Sequence, residues 1–131
     1  MPVQTVGVLG CGLMGGGIAQ VSAAAGYRTI VREVDQTALD RGLARVRRFL
    51  DTGVAKGKVT PAARDETLAR LSGTTKTEAL AECDLVVEAI VENLEAKRQV
   101  YAALEHVVGP TTIIASNTSS LCITELGAGT T

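Results

Sequence analysis

A run of glycines directly after a short apolar segment constrains this chain more than any other feature. Residues 5–9 form an apolar run typical of a buried strand, and five of the next eight residues are glycine. The following residues, 18–21, continue as a helix that we expect to stop before Gly26. The sequence therefore predicts a strand, a tight glycine turn and a helix in direct succession.

Residues 10–15 of this turn match the pattern G-x-G-x-x-G. This pattern indicates a phosphate-binding turn only where it follows a strand and opens a helix, as it does here. Gly10 permits the tight turn, Gly12 lets the backbone approach a pyrophosphate, and Gly15 lets the helix pack close to the strand. The backbone N–H groups at Leu13 and Met14, at the positive end of the helix dipole, would hold the phosphates. The pattern predicts a dinucleotide site, with a packing turn as the alternative.

Such a site needs a carboxylate at the end of the second strand to bind the adenosine ribose. Glu33 lies 21 residues after Gly12 and closes the predicted strand at residues 29–33. Asp35 is the alternative, although it can instead begin the next helix. A carboxylate there repels the extra phosphate of NADP and so favours NAD. Arg32 could pair with that phosphate, but we favour a solvated side chain covering the adenine edge.

The remaining chain alternates apolar runs with helical patterns, which is typical of parallel strands joined by crossover helices. We therefore predict an α/β domain over residues 1–131, with a Rossmann-type, doubly wound, mainly parallel sheet and helices on both faces. Further strands are expected at 72–76 (polar, at an edge), 85–90 and 112–116. Helices are expected at 37–52, from Thr60-Pro61, near 77–82, at 93–108 and at 121–126.

Composition excludes several classes of function. A net charge of −1 gives no basic excess for nucleic acid, and 2% aromatic residues provide no surface for base stacking. Cys11, Cys83 and Cys122 show no CxxC spacing, which argues against a disulfide framework and a metal site. Residues 3–9 are predicted to form a core strand with no basic leader before it, so we expect no signal or transit peptide. No apolar run is long enough to span a membrane. We expect a cytoplasmic protein that binds neither membranes nor nucleic acid.

Three segments are more specific than a general dinucleotide fold. Residues 10–20, 84–97 and 115–121 closely resemble, in order and spacing, the 3-hydroxyacyl-CoA dehydrogenases, including bacterial 3-hydroxybutyryl-CoA dehydrogenases. The resemblance implies NAD-dependent interconversion of an L-3-hydroxyacyl-CoA and its 3-oxoacyl-CoA. It also implies that Glu92 and Lys97 contact the nicotinamide end of NAD, and that the Ser119 hydroxyl contacts substrate and cofactor. From the residues alone, a surface Glu–Lys pair and a helix N-cap are the alternatives.

Residues 36–58 carry six basic and two acidic side chains. This local excess could receive the phosphates of coenzyme A, with Lys56 the best candidate, and the resemblance places this segment beside the CoA. A solvated helix face is the alternative, and for Arg41 and Arg45 it is the interpretation we favour.

His106 is the only histidine, late on an amphipathic helix, where a favourable charge at the helix C-terminus accounts for it. The resemblance places the catalytic histidine and its glutamate after Thr131, with the helical domain that dimerises. We therefore expect this chain to be a fragment of a homodimeric parent. The fragment alone should bind NAD but should not turn over substrate. The alternatives are a hydroxyacid or sugar-acid dehydrogenase domain and a non-catalytic dinucleotide sensor.

Overall fold

Helices and strands alternate along the chain in the computed structural model, which describes residues 3–90, 94–109 and 111–116. The strands are β1 (Thr5–Leu9), β2 (Arg28–Arg32), β3 (Leu71–Thr74), β4 (Leu85–Glu88) and β5 (Ile113–Ser116). The helices are α1 (Leu13–Ala24), α2 (Gln36–Ala55), α3 (Pro61–Arg70) and α4 (Leu94–Glu105), with a 3-10 turn at Thr77–Leu80.

The five strands form one sheet in the order β3-β2-β1-β4-β5, and every described pair is parallel. The chain first moves from β1 through β2 to β3, and then returns to β4 and β5 on the other side of β1. The order therefore reverses between β1 and β4, which is where open α/β sheets bind ligands. The predicted Rossmann-type, doubly wound sheet is confirmed.

The core has two layers because side chains alternate between the faces of each strand. On one face, Val8 and Val31 pack with Ala19 of α1 and Leu39 of α2. On the other face lie Leu9, Ile30, Val86, Leu80 of the 3-10 turn, and Tyr101 and Leu104 of α4. Helices thus cover both faces of the sheet. This is expected for right-handed crossovers, because the chain runs outward from the central β1 in both directions.

The helix starts follow from local side chains. The Thr60 hydroxyl accepts from the Ala63 N–H at 3.1 Å, and Pro61 occupies the first turn of α3. Asp35 caps α2 by accepting from the Ala38 N–H at 2.8 Å. No helix in the described ranges combines the length and the apolar character needed to cross a bilayer.

The structure differs from the sequence predictions mainly at element boundaries. β2 ends at Arg32, so that Glu33 follows the strand instead of closing it. The helix expected near 77–82 is a 3-10 turn, and β3 is the polar edge strand that was expected. The helix expected at 121–126 lies outside the described residues.

Candidate functional site

The glycine turn lies where the sheet order reverses. Gly10 has a φ of +95°, a conformation that disfavours any other residue, and a Cβ there would lie 2.6 Å from the Ala89 carbonyl oxygen. A Cβ on Gly15 would collide with the Gly10 carbonyl oxygen, so α1 packs directly on the turn. The backbone of the glycine turn thus approaches Ala89, just after β4, and α1 more closely than side chains on Gly10 and Gly15 would permit.

The first turn of α1 is open to solvent beside this contact. Gly12 is the N-cap of α1, and apart from its chain neighbours no described atom lies within 4 Å of where its Cβ would stand. The side chains of Leu13 and Met14 are 74% and 58% exposed. Because the first N–H groups of a helix have no partner within the helix, this turn offers donors and a positive dipole end to an anion.

Glu33 joins the end of β2 to the glycine turn. Its Oε2 accepts from the Cys11 N–H and its Oε1 from the Val34 N–H, each at 2.8 Å. The side chain is half-buried. Because each carboxylate oxygen has two acceptor positions, both can still accept from sugar hydroxyls. Asp35, the other candidate, is exposed, and its carboxylate holds the N-terminus of α2.

Arg32 presents a buried donor next to Glu33. The side chain projects to the same face as Leu9, its register partner in β1. Its Nε is buried and has no hydrogen-bond partner in the described structure, so the side chain is less solvated than the sequence suggested. A buried, unpaired donor costs about 1–3 kcal/mol, which an acceptor on a bound ligand would offset.

Gly42 is a site residue that sequence reasoning missed. A Cβ there would lie 2.5 Å from both the carbonyl oxygen and the Sγ of Cys11, so α2 presses on the glycine turn at this point. A glycine inside a helix costs about 1 kcal/mol relative to alanine, and this is the signal that could have found it. Its position shows that α2 helps to define the turn.

The cysteines described are not nucleophiles. Cys11 and Cys83 are buried free thiols. Burial, followed by the Glu33 carboxylate, raises the pKa of Cys11 against a lowering effect of Arg45. Burial raises the pKa of Cys83 to about 11. Both side chains are therefore protonated at neutral pH and act as small apolar groups.

The basic segment lies on α2 and in the loop just after it. Lys56 is the exposed C-cap of α2, followed by Gly57 at a φ of +72°. A cavity of about 130 Å³ opens between α1 and α2, and sequence reasoning did not predict it. Its lining residues are Leu13, Gly16, Gly17, Gln20, Arg45, Val46 and Phe49.

Several predicted residues lie outside what the structure describes. Glu92 and Ser119 are outside the described residues, and Lys97 is placed only as a backbone position in α4. His106 is exposed in the turn after α4. The described structure therefore brings together Gly10, Gly12, Gly15, Leu13, Met14 and Glu33.

A parallel sheet with this strand order, a glycine turn at its reversal and an acidic side chain bonded to that turn define a dinucleotide-binding domain. The sequence profile of the 3-hydroxyacyl-CoA dehydrogenase NAD-binding domain matches residues 5–131. The chain belongs to this family of NAD-binding domains, and its cofactor is NAD. The predicted family and cofactor are confirmed, as is the prediction that this chain is an NAD-binding domain.

Known relatives agree with this assignment. The chain is 41% identical to 3-hydroxybutyryl-CoA dehydrogenase of Bradyrhizobium diazoefficiens, over 98% of the chain and 44% of that protein. It is 41% identical to 3-hydroxyadipyl-CoA dehydrogenase of Escherichia coli, over 96% of the chain and 26% of that protein. The crystal structure of (S)-3-hydroxybutyryl-CoA dehydrogenase from Ralstonia eutropha superposes with a TM-score of 0.95 at 39% identity, covering 99% of this chain and 46% of that one. The chain thus spans less than half of each relative.

Proposed function

We propose that NAD lies across the reversal point of the sheet, with its diphosphate on the first turn of α1 and its adenosine ribose on Glu33. The observation that carries this proposal is the 2.8 Å hydrogen bond from the Cys11 N–H to Glu33, because it fixes the acidic side chain beside the phosphate turn. Gly12 leaves open space for the diphosphate, and Glu33 keeps acceptor positions for the ribose. The residues present therefore fit the cofactor.

The same geometry supports selection of NAD over NADP. A 2′-phosphate would bring negative charge next to the Glu33 carboxylate, which is held in place by two backbone N–H groups. Asp35 caps α2 and is left to that role.

Calorimetric titration of the chain with NAD and NADP tests this placement. NAD should bind at least about fivefold more tightly, since the carboxylate–phosphate repulsion costs more than about 1 kcal/mol at short range even when screened. ADP-ribose, which keeps the diphosphate and the adenosine ribose, should bind at the same place. Equal or tighter binding of NADP would contradict the role of Glu33.

We further propose that the whole protein interconverts an L-3-hydroxyacyl-CoA and a 3-oxoacyl-CoA as a cytoplasmic homodimer. NAD, when bound, supplies the hydride acceptor. Glu92, Lys97 and Ser119 would lie towards the nicotinamide and the reacting oxygen, while the catalytic histidine and its glutamate would come from outside this chain. His106 is exposed and follows α4, away from the carboxyl end of the sheet, which supports leaving it out of the chemistry.

Lys56 would bind a phosphate of the acyl-CoA, because it is an exposed cation at the end of the basic segment, where α2 turns into the loop before α3. In the whole protein, Lys56→Gln should raise the KM for a short 3-oxoacyl-CoA several-fold and leave kcat and the NADH KM unchanged. Lys76→Gln, an exposed lysine after the edge strand β3, is the matched control. An unchanged acyl-CoA KM in the Lys56 variant would refute the assignment.

A further inference from the structure

Glu88, the last residue of β4, is an unexpected residue at the centre of the sheet. It is the only acidic or basic side chain of the described residues with no exposed surface. Its register partners are Leu9 in β1 and Ser116 in β5, so it lies in the row of residues at the carboxyl end of the sheet. A buried carboxylate is less favourable than an apolar side chain of equal volume, unless it holds specific groups.

Among the described residues, Glu88 holds groups on two different elements. Its Oε2 accepts from the Ile90 N–H at 2.9 Å, two residues further along the chain. Its Oε1 accepts a long hydrogen bond of 3.5 Å from the hydroxyl of Tyr101, which is buried on α4. Glu88 thereby connects the end of β4, the segment that leaves it, and the helix that follows.

Residues 89 and 90, the segment held by Glu88, form one wall of the cleft at the reversal point of the sheet. The Ala89 N–H donates to the Leu9 carbonyl oxygen at 2.8 Å, which continues the ladder to β1 by one bond. The Ala89 carbonyl oxygen lies 2.6 Å from where a Cβ of Gly10 would stand. Residues 89 and 90 therefore face the glycine turn directly, and the Ile90 hydrogen bond fixes where that wall ends.

The strand order indicates which half of the cofactor this wall contacts. Glu33 follows β2, on one side of β1, and the proposed function places the adenosine ribose there. Because a dinucleotide crosses the sheet at the reversal point, its other half lies over β4. The wall at residues 89 and 90 is then on the nicotinamide side.

We propose that Glu88 is a positioning residue for the nicotinamide half of NAD. It acts by holding the Ile90 N–H, and with it the wall after β4, at a fixed distance from the glycine turn. The adenosine half does not depend on Glu88. This inference rests on the proposed placement of NAD.

Binding of NAD and of ADP-ribose, which lacks the nicotinamide, tests the inference by calorimetry. Glu88→Met keeps the buried volume but leaves the Ile90 N–H without its acceptor. It should weaken NAD about tenfold and ADP-ribose by less than about twofold. Glu88→Gln, the matched control, retains one oxygen for Ile90 and can donate to the Tyr101 oxygen. It should keep both affinities within about twofold of the original chain.

The outcomes separate this inference from the placement on which it rests. Equal loss of both ligands, or no loss, in Glu88→Met would overturn the role of Glu88. A Glu33→Gln variant that binds ADP-ribose normally would instead overturn the placement. Should Glu88→Met not fold, the original chain still decides: in NMR titrations the Ile90 amide should shift with NAD and much less with ADP-ribose. The same shift with both ligands would refute the proposal.

Discussion

Replacing Glu33 by glutamine tests the centre of the proposed site with a minimal change in volume. In the unliganded chain Glu33 accepts from two backbone N–H groups, at 2.8 Å each. Glutamine offers one oxygen and one NH₂ group, so one of those backbone donors loses its acceptor and faces another donor. The substitution also removes the negative charge without emptying the site.

The magnitude follows from hydrogen bonds lost on the ribose. A carboxylate can accept from both adenosine ribose hydroxyls, whereas an amide accepts through a single oxygen. Leaving one buried polar group unpaired costs about 1–3 kcal/mol, which corresponds to roughly 5- to 150-fold weaker NAD binding. NADP should lose less, or gain, because the repulsion between the Glu33 carboxylate and the 2′-phosphate is removed. The NAD-to-NADP affinity ratio should therefore fall.

Calorimetric titration at neutral pH measures both affinities, and chemical denaturation measures the stability of each variant. Asp35→Asn is the matched control, since asparagine is as good an N-cap as aspartate and should leave NAD affinity and stability unchanged. The reasoning is refuted if Glu33→Gln binds NAD within about twofold of the original chain. It is equally refuted if Asp35→Asn causes the larger loss, because the ribose would then lie on Asp35.

Three further outcomes are expected from packing and protonation. Gly42→Ala should destabilise the chain by about 1–3 kcal/mol in urea denaturation, because its Cβ would overlap Cys11, whereas Gly17→Ala, with open space around it, should stabilise by up to about 1 kcal/mol. Two backbone N–H groups at the start of β1 lower the pKa of Asp84. The contribution of Asp84 to folding stability is therefore present above the ordinary pKa of aspartate and is lost as pH falls through the lowered pKa. Asp84→Asn should flatten the curve of stability against pH only in acid. In peptide mapping after iodoacetamide treatment, Cys11 and Cys83 should be labelled only in denaturant, and labelling of the folded chain would contradict their burial.

Apolar pattern and turn chemistry were sufficient to predict the sheet. The strands at 5–9, 29–33, 85–90 and 112–116 are recognisable because both faces of a parallel sheet are covered, which requires near-continuous apolar runs. Their ends were predicted less well, since a strand ends where its neighbour stops pairing. β4 ends at Glu88 inside the predicted run, and the ladder to β1 continues by only one bond, from Ala89.

The site was predictable only where it is local in sequence. The strand, the glycine turn and the distance to Glu33 follow from a single βαβ unit. The contact of Gly42 with Cys11 and the burial of Glu88 depend on how α2 and α4 pack, which no local pattern encodes. In the sequence, Glu88 interrupts an apolar run and resembles a strand end; its role becomes visible only with the Ile90 N–H beside it.

A carboxylate beside the proposed phosphate site presents an electrostatic conflict, and the described residues indicate how the fold reduces it. The charge of Glu33 is stabilised by two backbone N–H groups, one of them from the glycine turn itself. Arg45 on α2 contributes an opposite field at the same place, since it lowers the pKa of Cys11 while Glu33 raises it. The first turn of α1 then provides positive potential from N–H groups rather than from a basic side chain. A diphosphate can therefore bind within reach of Glu33, whereas an additional phosphate on the ribose would meet the carboxylate directly.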